Sequence, residues 1–159
     1  MNLRSITRDD VAFLAAMLYE AARWNPDGPR EPLEQILEDP LLRRYHEAWG
    51  RPGDAGILGE LEGAPVGAAW YRRFTAEEPG YGFIDEETPE LSIAVASRHR
   101  GAGVGVALLR ALMSRAREEG FHALSLSVAA ENRARLLYER AGFRKIGEHG
   151  GSWTMLANL

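Results

Sequence analysis

A glycine-rich turn between a strand and a helix constrains this chain more than any other segment. Arg100-Gly-Ala-Gly-Val-Gly105 follows an alternating apolar segment over 91–96 and opens an amphipathic stretch over 104–119. Each glycine inside a helix is unfavourable by ~1 kcal/mol relative to alanine, so glycines at this density indicate a structural or functional requirement. Free N–H groups and the positive end of a helix dipole attract an anion there. The turn therefore predicts an anion site, with a tight turn that binds nothing as the alternative.

Spacing excludes two well-known phosphate motifs for this turn. A dinucleotide fingerprint needs Gly-x-Gly-x-x-Gly/Ala, but its last position falls on Val106 when counted from Gly101 and on Leu108 when counted from Gly103. A P-loop needs Gly-Lys-Ser/Thr, a tripeptide that the sequence lacks. The turn has the form Arg-x-x-Gly-x-Gly, in which the glycines let phosphate oxygens approach consecutive amides.

Apolar periodicity predicts a mixed order of strands and helices. Strands are expected at 3–6, 55–61, 65–74, 91–96, 122–128, 143–148 and 152–156. Helices are expected from a Thr7 cap to a turn at 25–29, once or twice within 32–49, and over 104–119 and 133–141. This order is typical of an α/β or α+β domain with a mixed sheet. With 159 residues and no internal repeat, one domain over 1–159 is expected.

Composition excludes several classes of protein. A formal net charge of −4 disfavours a nucleic-acid module that relies on a basic field. The absence of cysteine excludes disulfides, thiolate metal sites and a cysteine nucleophile. Four scattered histidines lack metal-ligand spacing, so no metal is expected. No apolar run suits a membrane helix, and the N-terminal sequence lacks the apolar core of a signal peptide, so a cytoplasmic location without membrane partners is expected.

Two blocks of the second half carry a family resemblance. Glu90-Leu-Ser-Ile-Ala-Val followed by Arg98-His-Arg-Gly-Ala-Gly-Val-Gly resembles motif A of the GNAT superfamily of acetyl-CoA-dependent N-acetyltransferases. Asn132-Arg-Ala-Arg-Leu-Leu-Tyr-Glu-Arg-Ala-Gly-Phe is similar to motif B. The blocks have the family's order and spacing over roughly 89–145, whereas the first half resembles the family in element order alone. The resemblance implies a mixed, mostly antiparallel sheet of about six to seven strands, flanked by helices, whose central strands splay apart.

The resemblance also implies the coenzyme site. The turn, with Arg100 and the amides from Gly101 to Val106, would hold the diphosphate of acetyl-CoA. The strand before it would pair with the pantetheine arm, and its last residue would offer an amide to the thioester oxygen. Residue by residue, the coenzyme-binding positions are Ile93, Ala94, Val95, Arg100, Gly101, Ala102, Gly103, Val104, Gly105, Val106 and Asn132.

Two residues of motif B carry alternative interpretations. Asn132 matches the residue that binds the pantetheine, and it is equally suited to be a helix N-cap. Tyr138 matches the general acid that protonates the leaving thiolate, a task that a phenol can perform for a thiol of pKa ~8.5. The alternative for Tyr138 is an aromatic side chain that fills a helix face.

The amine acceptor needs a group that accepts its proton, directly or through water. Glu90, at the start of the motif A strand, is the first candidate, and a solvated carboxylate at a strand end is the alternative. Six acidic residues and no basic residue lie within 75–90, so we expect this stretch to draw a positively charged amine towards the cleft. Asp85, Glu86, Glu87 and His99 are reserve candidates for the base.

The leading hypothesis is an enzyme that moves acetyl from acetyl-CoA to a primary amine of a small molecule or peptide by direct attack. The alternative is an acyl-CoA-binding or regulatory module that has the same fold and no turnover. Tyr138 favours the enzyme, because a module that only binds has no need of an acid at that position. Many members of the family are homodimers, and the C-terminal strand around Trp153 could supply a dimer edge.

Overall fold

A computed structural model describes residues 1–28 and 31–159 of the chain. Within these ranges seven strands form one sheet in the order β1-β2-β3-β4-β5-β7-β6. The strands are β1 (Asn2–Ser5), β2 (Ala55–Leu61), β3 (Ala64–Arg72), β4 (Glu90–Val95), β5 (Ala123–Ala129), β6 (Arg144–His149) and β7 (Ser152–Asn158). All neighbours pair antiparallel except β4 and β5, which are parallel. The expected mixed, mostly antiparallel sheet is confirmed.

Five helices flank the described sheet. They are α1 (Val11–Ala22), α2 (Leu33–Glu38), α3 (Pro40–Arg43), α4 (Val104–Glu118) and α5 (Ala134–Arg140). Thr7 begins the first of them as expected, through a capping box with Asp10 that opens a short 3-10 turn ahead of α1. Asp39 accepts from the N–H of Leu41 and starts α3, so the region predicted to hold one or two helices holds two short ones. Of the turn predicted at 25–29, Pro29 lies outside the described residues.

The sheet buries a different set of side chains on each face. On one face β4 contributes Leu91 to a core that α4 covers, together with Leu124 and Leu126 of β5. On the other face β4 contributes Ala94 to a second core that includes Leu18 of α1. Because side chains alternate along a strand, Glu90 lies on the second face, the side of α1 and the 75–89 loop.

The two central strands separate almost as soon as they meet. β4 and β5 pair at Glu90 and Ser125 alone, where the N–H of Ser125 also donates to the carbonyl of Pro89 at 2.9 Å. Beyond that point β4 continues beside β3, and β5 continues beside β7. The expected splay of the central strands is confirmed, and it opens a cleft in the middle of the sheet.

Candidate active site

A cleft of about 430 Å³ lies between the separated strands. Its walls are the cleft-facing residues of β4 and β5, the C-terminal half of α1, the segment after α3, the 75–89 loop and the N-terminal part of α5. The predicted site residues that line it are Glu90, Ile93, Ala94, Val95, Arg100, Gly105, Asn132 and Tyr138. A cleft of this size is within the usual range for small-molecule sites.

Glu90 is a buried carboxyl on the wall of this cleft. Its side chain is 2% exposed, so the alternative of a solvated strand-end carboxylate is wrong. One oxygen accepts from the hydroxyl of Tyr45, and the other accepts from the N–H of Gly82 at 3.1 Å. Burial raises the pKa of Glu90 to about 7, against the two hydrogen bonds, which lower it. Near neutral pH such a group exchanges a proton readily.

The contact with Tyr45 has a fixed direction. The N–H of Tyr81 donates to the Tyr45 hydroxyl at 2.8 Å, so the hydroxyl hydrogen is free to point at Glu90. Burial, and then the charge of Glu90, raise the pKa of Tyr45 well above its usual value, which keeps the phenol protonated. Tyr45 therefore donates a hydrogen bond to the charged form of Glu90.

Two glycines let the 75–89 loop approach this carboxyl. A Cβ at Gly80 would overlap an oxygen of Glu90 and lie 2.8 Å from the Tyr45 hydroxyl. A Cβ at Gly82 would lie 2.6 Å from the carbonyl carbon of Leu126 on β5. Only residues without a side chain fit at both positions, and this close approach brings the N–H groups of Tyr81 and Gly82 to the Tyr45 hydroxyl and the Glu90 carboxyl.

A buried ion pair holds the segment that carries Tyr45. Arg72 and Asp54 are 1% and 2% exposed and bind through two parallel hydrogen bonds of 2.9 and 2.7 Å. The same guanidinium donates to the carbonyls of Arg44 and Glu47 at 2.9 and 2.6 Å. The indole N–H of Trp70 donates to the carbonyl of Tyr45 at 2.8 Å. The backbone on both sides of Tyr45 is thus fixed from β3.

The glycine turn is open on its outer side. Gly101 and Gly103 have φ values of +81° and +83°, and a Cβ at either would meet no protein atom within 4 Å. Gly103 precedes α4 without a side-chain cap, so the amides of the first helical turn are left for another acceptor. Gly101, Ala102, Gly103 and Val106 are exposed and lie outside the cleft wall, and the Val104 side chain belongs to the core. Space and free donors fit a bound diphosphate.

The backbone of β4 offers polar groups to the cleft. Ala96 donates to the carbonyl of Val66 on β3 at 2.8 Å. In an antiparallel pair the direction alternates, so the N–H and C=O of Val95 and of Ile93 point away from β3. They face the side from which β5 has diverged, where an extended ligand could pair with them as a strand would.

Arg100 bridges the two walls at one end of the cleft. Its guanidinium donates to the carbonyl of Val95 at 3.1 Å and to the carboxylate of Glu20 on α1 at 3.0 Å. The side chains are 46% and 28% exposed, so the pair contributes little to stability. A phosphate group that reached Arg100 would compete with Glu20 for it.

Tyr138 and Asn132 approach the cleft from the side of α5. The Tyr138 ring is buried against Phe143, with 6.0 Å between ring centroids, and still forms part of the cleft wall. Burial raises the pKa of its phenol, which therefore stays protonated. Asn132 accepts from the N–H of Ala134, the first residue of α5, at 2.9 Å, and it also lines the cleft.

Most of the acidic stretch lies away from the cleft. Of its six acidic residues, Glu90 alone is among the described residues that line the wall. Asp85 and Glu87 line a second cavity beside Phe121 and His122, and Asp85 accepts from the N–H groups of Glu87 and Thr88. His99, another reserve base, is also absent from the described wall. Glu90 apart, the acidic residues of this stretch do not line the described cleft, and their attraction of a cationic amine stays a prediction.

The sequence reasoning missed the residues around Glu90. Tyr45 lies in an irregular segment 45 positions before its partner, where no periodicity marks it. Arg72 did carry a signal, because it is a charged residue within the otherwise apolar run Ala68-Ala-Trp-Tyr-Arg72. A buried cation needs a partner, which Asp54 provides.

The described chain shows two further features. No helix in it is both long and apolar enough to cross a bilayer. No three of its histidine and acidic side chains converge as metal ligands would.

Known proteins resemble this chain in sequence and in fold. Residues 16–143 match the family model "Acetyltransferase (GNAT) family". The L-amino acid N-acyltransferase MnaT of Escherichia coli is 28% identical over 165 residues, covering 96% of this chain and 88% of that protein. A ribosomal-protein-alanine N-acetyltransferase from Brucella melitensis superposes with a TM-score of 0.71 at 30% identity over 100% of both chains. PaiA N-acetyltransferase from Thermoplasma acidophilum, solved with coenzyme A, shares the fold with a TM-score of 0.73 at 13% identity over 100% of both chains.

Proposed function

This chain belongs to the GNAT acetyltransferase family, and on that basis we propose which of its residues carry out the acetyl transfer. It is an N-acetyltransferase that takes the acetyl group from acetyl-CoA and delivers it to a primary amine. The alternative of a module that only binds acyl-CoA is set aside, because relatives that match nearly the whole chain are acyltransferases. The proposal concerns the base, the acid, the donor site and the kind of acceptor.

The observation that carries the proposal is the buried carboxyl of Glu90 on the cleft wall. With a pKa of about 7 it can take a proton from an ammonium group and release it again to water. Each of its oxygens accepts one hydrogen bond from the protein, and a carboxylate oxygen has a second lone pair to offer. Glu90 acts as the base, directly or through a water molecule.

The donor site is the glycine turn together with β4. The amides of 101–106 hold the diphosphate, and the backbone N–H groups of Ile93 and Val95, which point away from β3, pair with the pantetheine arm. Both assignments are supported by the open space beside Gly103 and by the direction of the Val95 amide. The Val95 N–H then donates to the thioester oxygen, where negative charge develops during attack.

The reaction exchanges one bond for another at the acetyl carbon. The neutral amine forms a C–N bond and gives a tetrahedral intermediate, whose collapse breaks the C–S bond. Glu90 has accepted the first proton, from the ammonium form of the amine. The phenol of Tyr138 gives its proton to the departing thiolate, and the second proton, which the nitrogen loses on becoming an amide, passes to the phenolate directly or through water. Proton exchange with water restores both groups, and the products are an N-acetyl amine and coenzyme A.

The acceptor is a primary amine of a small molecule or of a peptide. Two relatives with different acceptors support this range, an L-amino acid N-acyltransferase and a ribosomal-protein-alanine N-acetyltransferase. The single domain over 1–159, the cytoplasmic location and the homodimer stay predictions.

The test compares the wild-type protein with Glu90→Gln. Thiol release from acetyl-CoA is measured with a panel of primary amines, and acetyl-CoA binding is measured by calorimetry. We expect Glu90→Gln to bind acetyl-CoA as the wild type does and to lose ~10²- to 10⁴-fold in kcat/KM. Full activity of this variant would place the base elsewhere. Binding without thiol release for every amine would return the chain to the class of binding modules.

A further inference from the structure

The acceptor end of the cleft is walled by apolar and aromatic side chains. On the face of the sheet that carries Glu90, α1 and its C-terminal extension supply Leu18, Ala21 and Trp24. Leu42 and Tyr45 lie on the segment that includes α3, and Tyr81 lies on the 75–89 loop. Three of these six side chains are aromatic.

Charge is sparse along the same wall. The described residues that line the whole cleft include three charged side chains, Glu20, Glu90 and Arg100. Glu20 and Arg100 bind each other at the coenzyme end. Of the described residues that line the cleft, Glu90 is thus the one charged side chain not engaged in that ion pair.

Tyr81 is the most exposed of these aromatic residues. Its side chain is 51% exposed, while Tyr45 beside it is 6% exposed. The two rings stack with centroids 6.5 Å apart and planes inclined by 17°. Because the N–H of Tyr81 is bound to the Tyr45 hydroxyl, the Tyr81 ring is held one ring away from the proton-accepting carboxyl. A large exposed aromatic held in this position offers an apolar surface to whatever enters.

We infer that the acceptor is a primary amine with an apolar body, best an aromatic ring, and that Trp24, Leu42 and Tyr81 form its subsite. This inference rests on the proposed function of the cleft. The amine nitrogen lies at Glu90 and the carbon body lies against the Tyr81 ring. The cleft of about 430 Å³ is shared between this body and the acetyl end of the coenzyme.

Two matched pairs of acceptors test the inference. The pair 2-phenylethylamine and 2-aminoethanol differs in body but keeps the primary amine, and L-phenylalaninamide and glycinamide repeat the comparison on a peptide-like backbone. We expect kcat/KM for thiol release to be at least tenfold higher for the aromatic member of at least one pair. Equal rates, or faster turnover of both polar members, would overturn the inference while the proposed function stands. No thiol release with any of the four would count against both.

Variants of Tyr81 locate the subsite. Tyr81→Ala removes the ring and keeps the backbone N–H that binds Tyr45. We expect it to raise KM for the preferred aromatic amine at least fivefold and to leave KM for acetyl-CoA unchanged. Ile146→Ala is the control, because it truncates an exposed apolar side chain outside the described cleft wall, and its KM values should equal those of the wild type. An unchanged acceptor KM in Tyr81→Ala would show that the body of the acceptor does not contact this wall.

Discussion

The hydroxyl of Tyr45 donates to the carboxyl of Glu90, and this one contact joins the irregular segment after α3 to the first residue of β4. The hydrogen bond favours the charged form of Glu90, whereas burial favours the neutral form. The balance of the two places the pKa of this carboxyl near 7, and each of them can be changed separately by substitution.

Tyr45→Phe removes the hydrogen bond and leaves the burial in place. The pKa of Glu90 should then rise above about 7. A hydrogen bond to a charged group corresponds to about one pH unit or more. If Glu90 must be deprotonated, the acidic limb of kcat/KM against pH moves to higher pH by this amount. Tyr81→Phe is the control, because the backbone of Tyr81 makes the contact and its phenol does not. Coincident acidic limbs for wild type and Tyr45→Phe would contradict the prediction.

Glu90→Gln should change how stability depends on pH. The folded-state pKa of about 7 lies above the ordinary 4.5, so the folded protein prefers the protonated carboxyl. Stability from this group is fully present below pH 4.5 and is lost as pH rises through 7, by on the order of 3 kcal/mol. Urea unfolding should show that the free energy of unfolding of the wild type, relative to that of Glu90→Gln, is lower at pH 8.5 than at pH 5. Glu87→Gln, at an exposed site outside the cleft wall, should show no such trend.

Tyr138→Phe should keep the fold and lower kcat. Loss of a general acid lowers the rate by ~10²-fold or more, while acetyl-CoA affinity stays as in the wild type. Tyr71→Phe is a matched control, since Tyr71 is also buried, lies outside the described cleft wall and has a hydroxyl without a hydrogen-bond partner in the described structure. Steady-state kinetics with saturating amine distinguish the two. An unchanged kcat in Tyr138→Phe would mean that Tyr138 packs in the core and is not the general acid.

Gly103→Val should abolish acetyl-CoA binding. A β-branched side chain at φ +83° would occupy the open space beside the helix amides and keep the diphosphate away. Gly120→Val carries a similar backbone penalty, at φ +89°, at the other end of α4. Calorimetric titration with coenzyme A should show a loss of binding in the first variant and none in the second. Equal coenzyme A affinity in both variants would mean that this turn does not bind the diphosphate.

Asp54→Asn should be strongly destabilising. The substitution leaves the buried guanidinium of Arg72 without its anionic partner, which typically costs about 3–5 kcal/mol. Glu148→Gln breaks the exposed pair with Lys145 and should change the free energy of unfolding little. Unfolding free energies in urea at pH 7 give both values. Equal effects of the two substitutions would mean that burial does not govern the Arg72 pair.

The order of strands and helices followed from the sequence because regular elements leave periodic traces. β2 has the predicted bounds, and α4 ends one residue before the predicted end. The alternation of Leu91, Ile93 and Val95 against Ser92 and Ala94 predicts which side chains face α4, and the two cores divide them in that way. Such patterns depend on neighbours along the chain, and these are visible in one sequence.

No periodic pattern in the sequence marks the residues that surround Glu90. A glutamate at the start of a strand gives the same sequence pattern whether water or protein covers its carboxylate. Its partners, Tyr45 and Gly82, come from two irregular segments whose position depends on the buried Arg72 pair and on close glycine contacts. The acidic stretch is a similar case, since charge order along a loop does not determine which side of the loop faces the cleft.

The single ladder pair between β4 and β5 has a consequence for how such a protein can diversify. Nearly every side chain that shapes the acceptor end, including Trp24, Tyr45 and Tyr81, precedes Glu90 in the chain, while Asn132 and Tyr138 follow β5. With one backbone pairing across the seam, the cleft between β4 and β5 stays open over most of their length. Side chains that precede Glu90 can therefore change the acceptor end, while β4 and the glycine turn keep the backbone groups that face the donor.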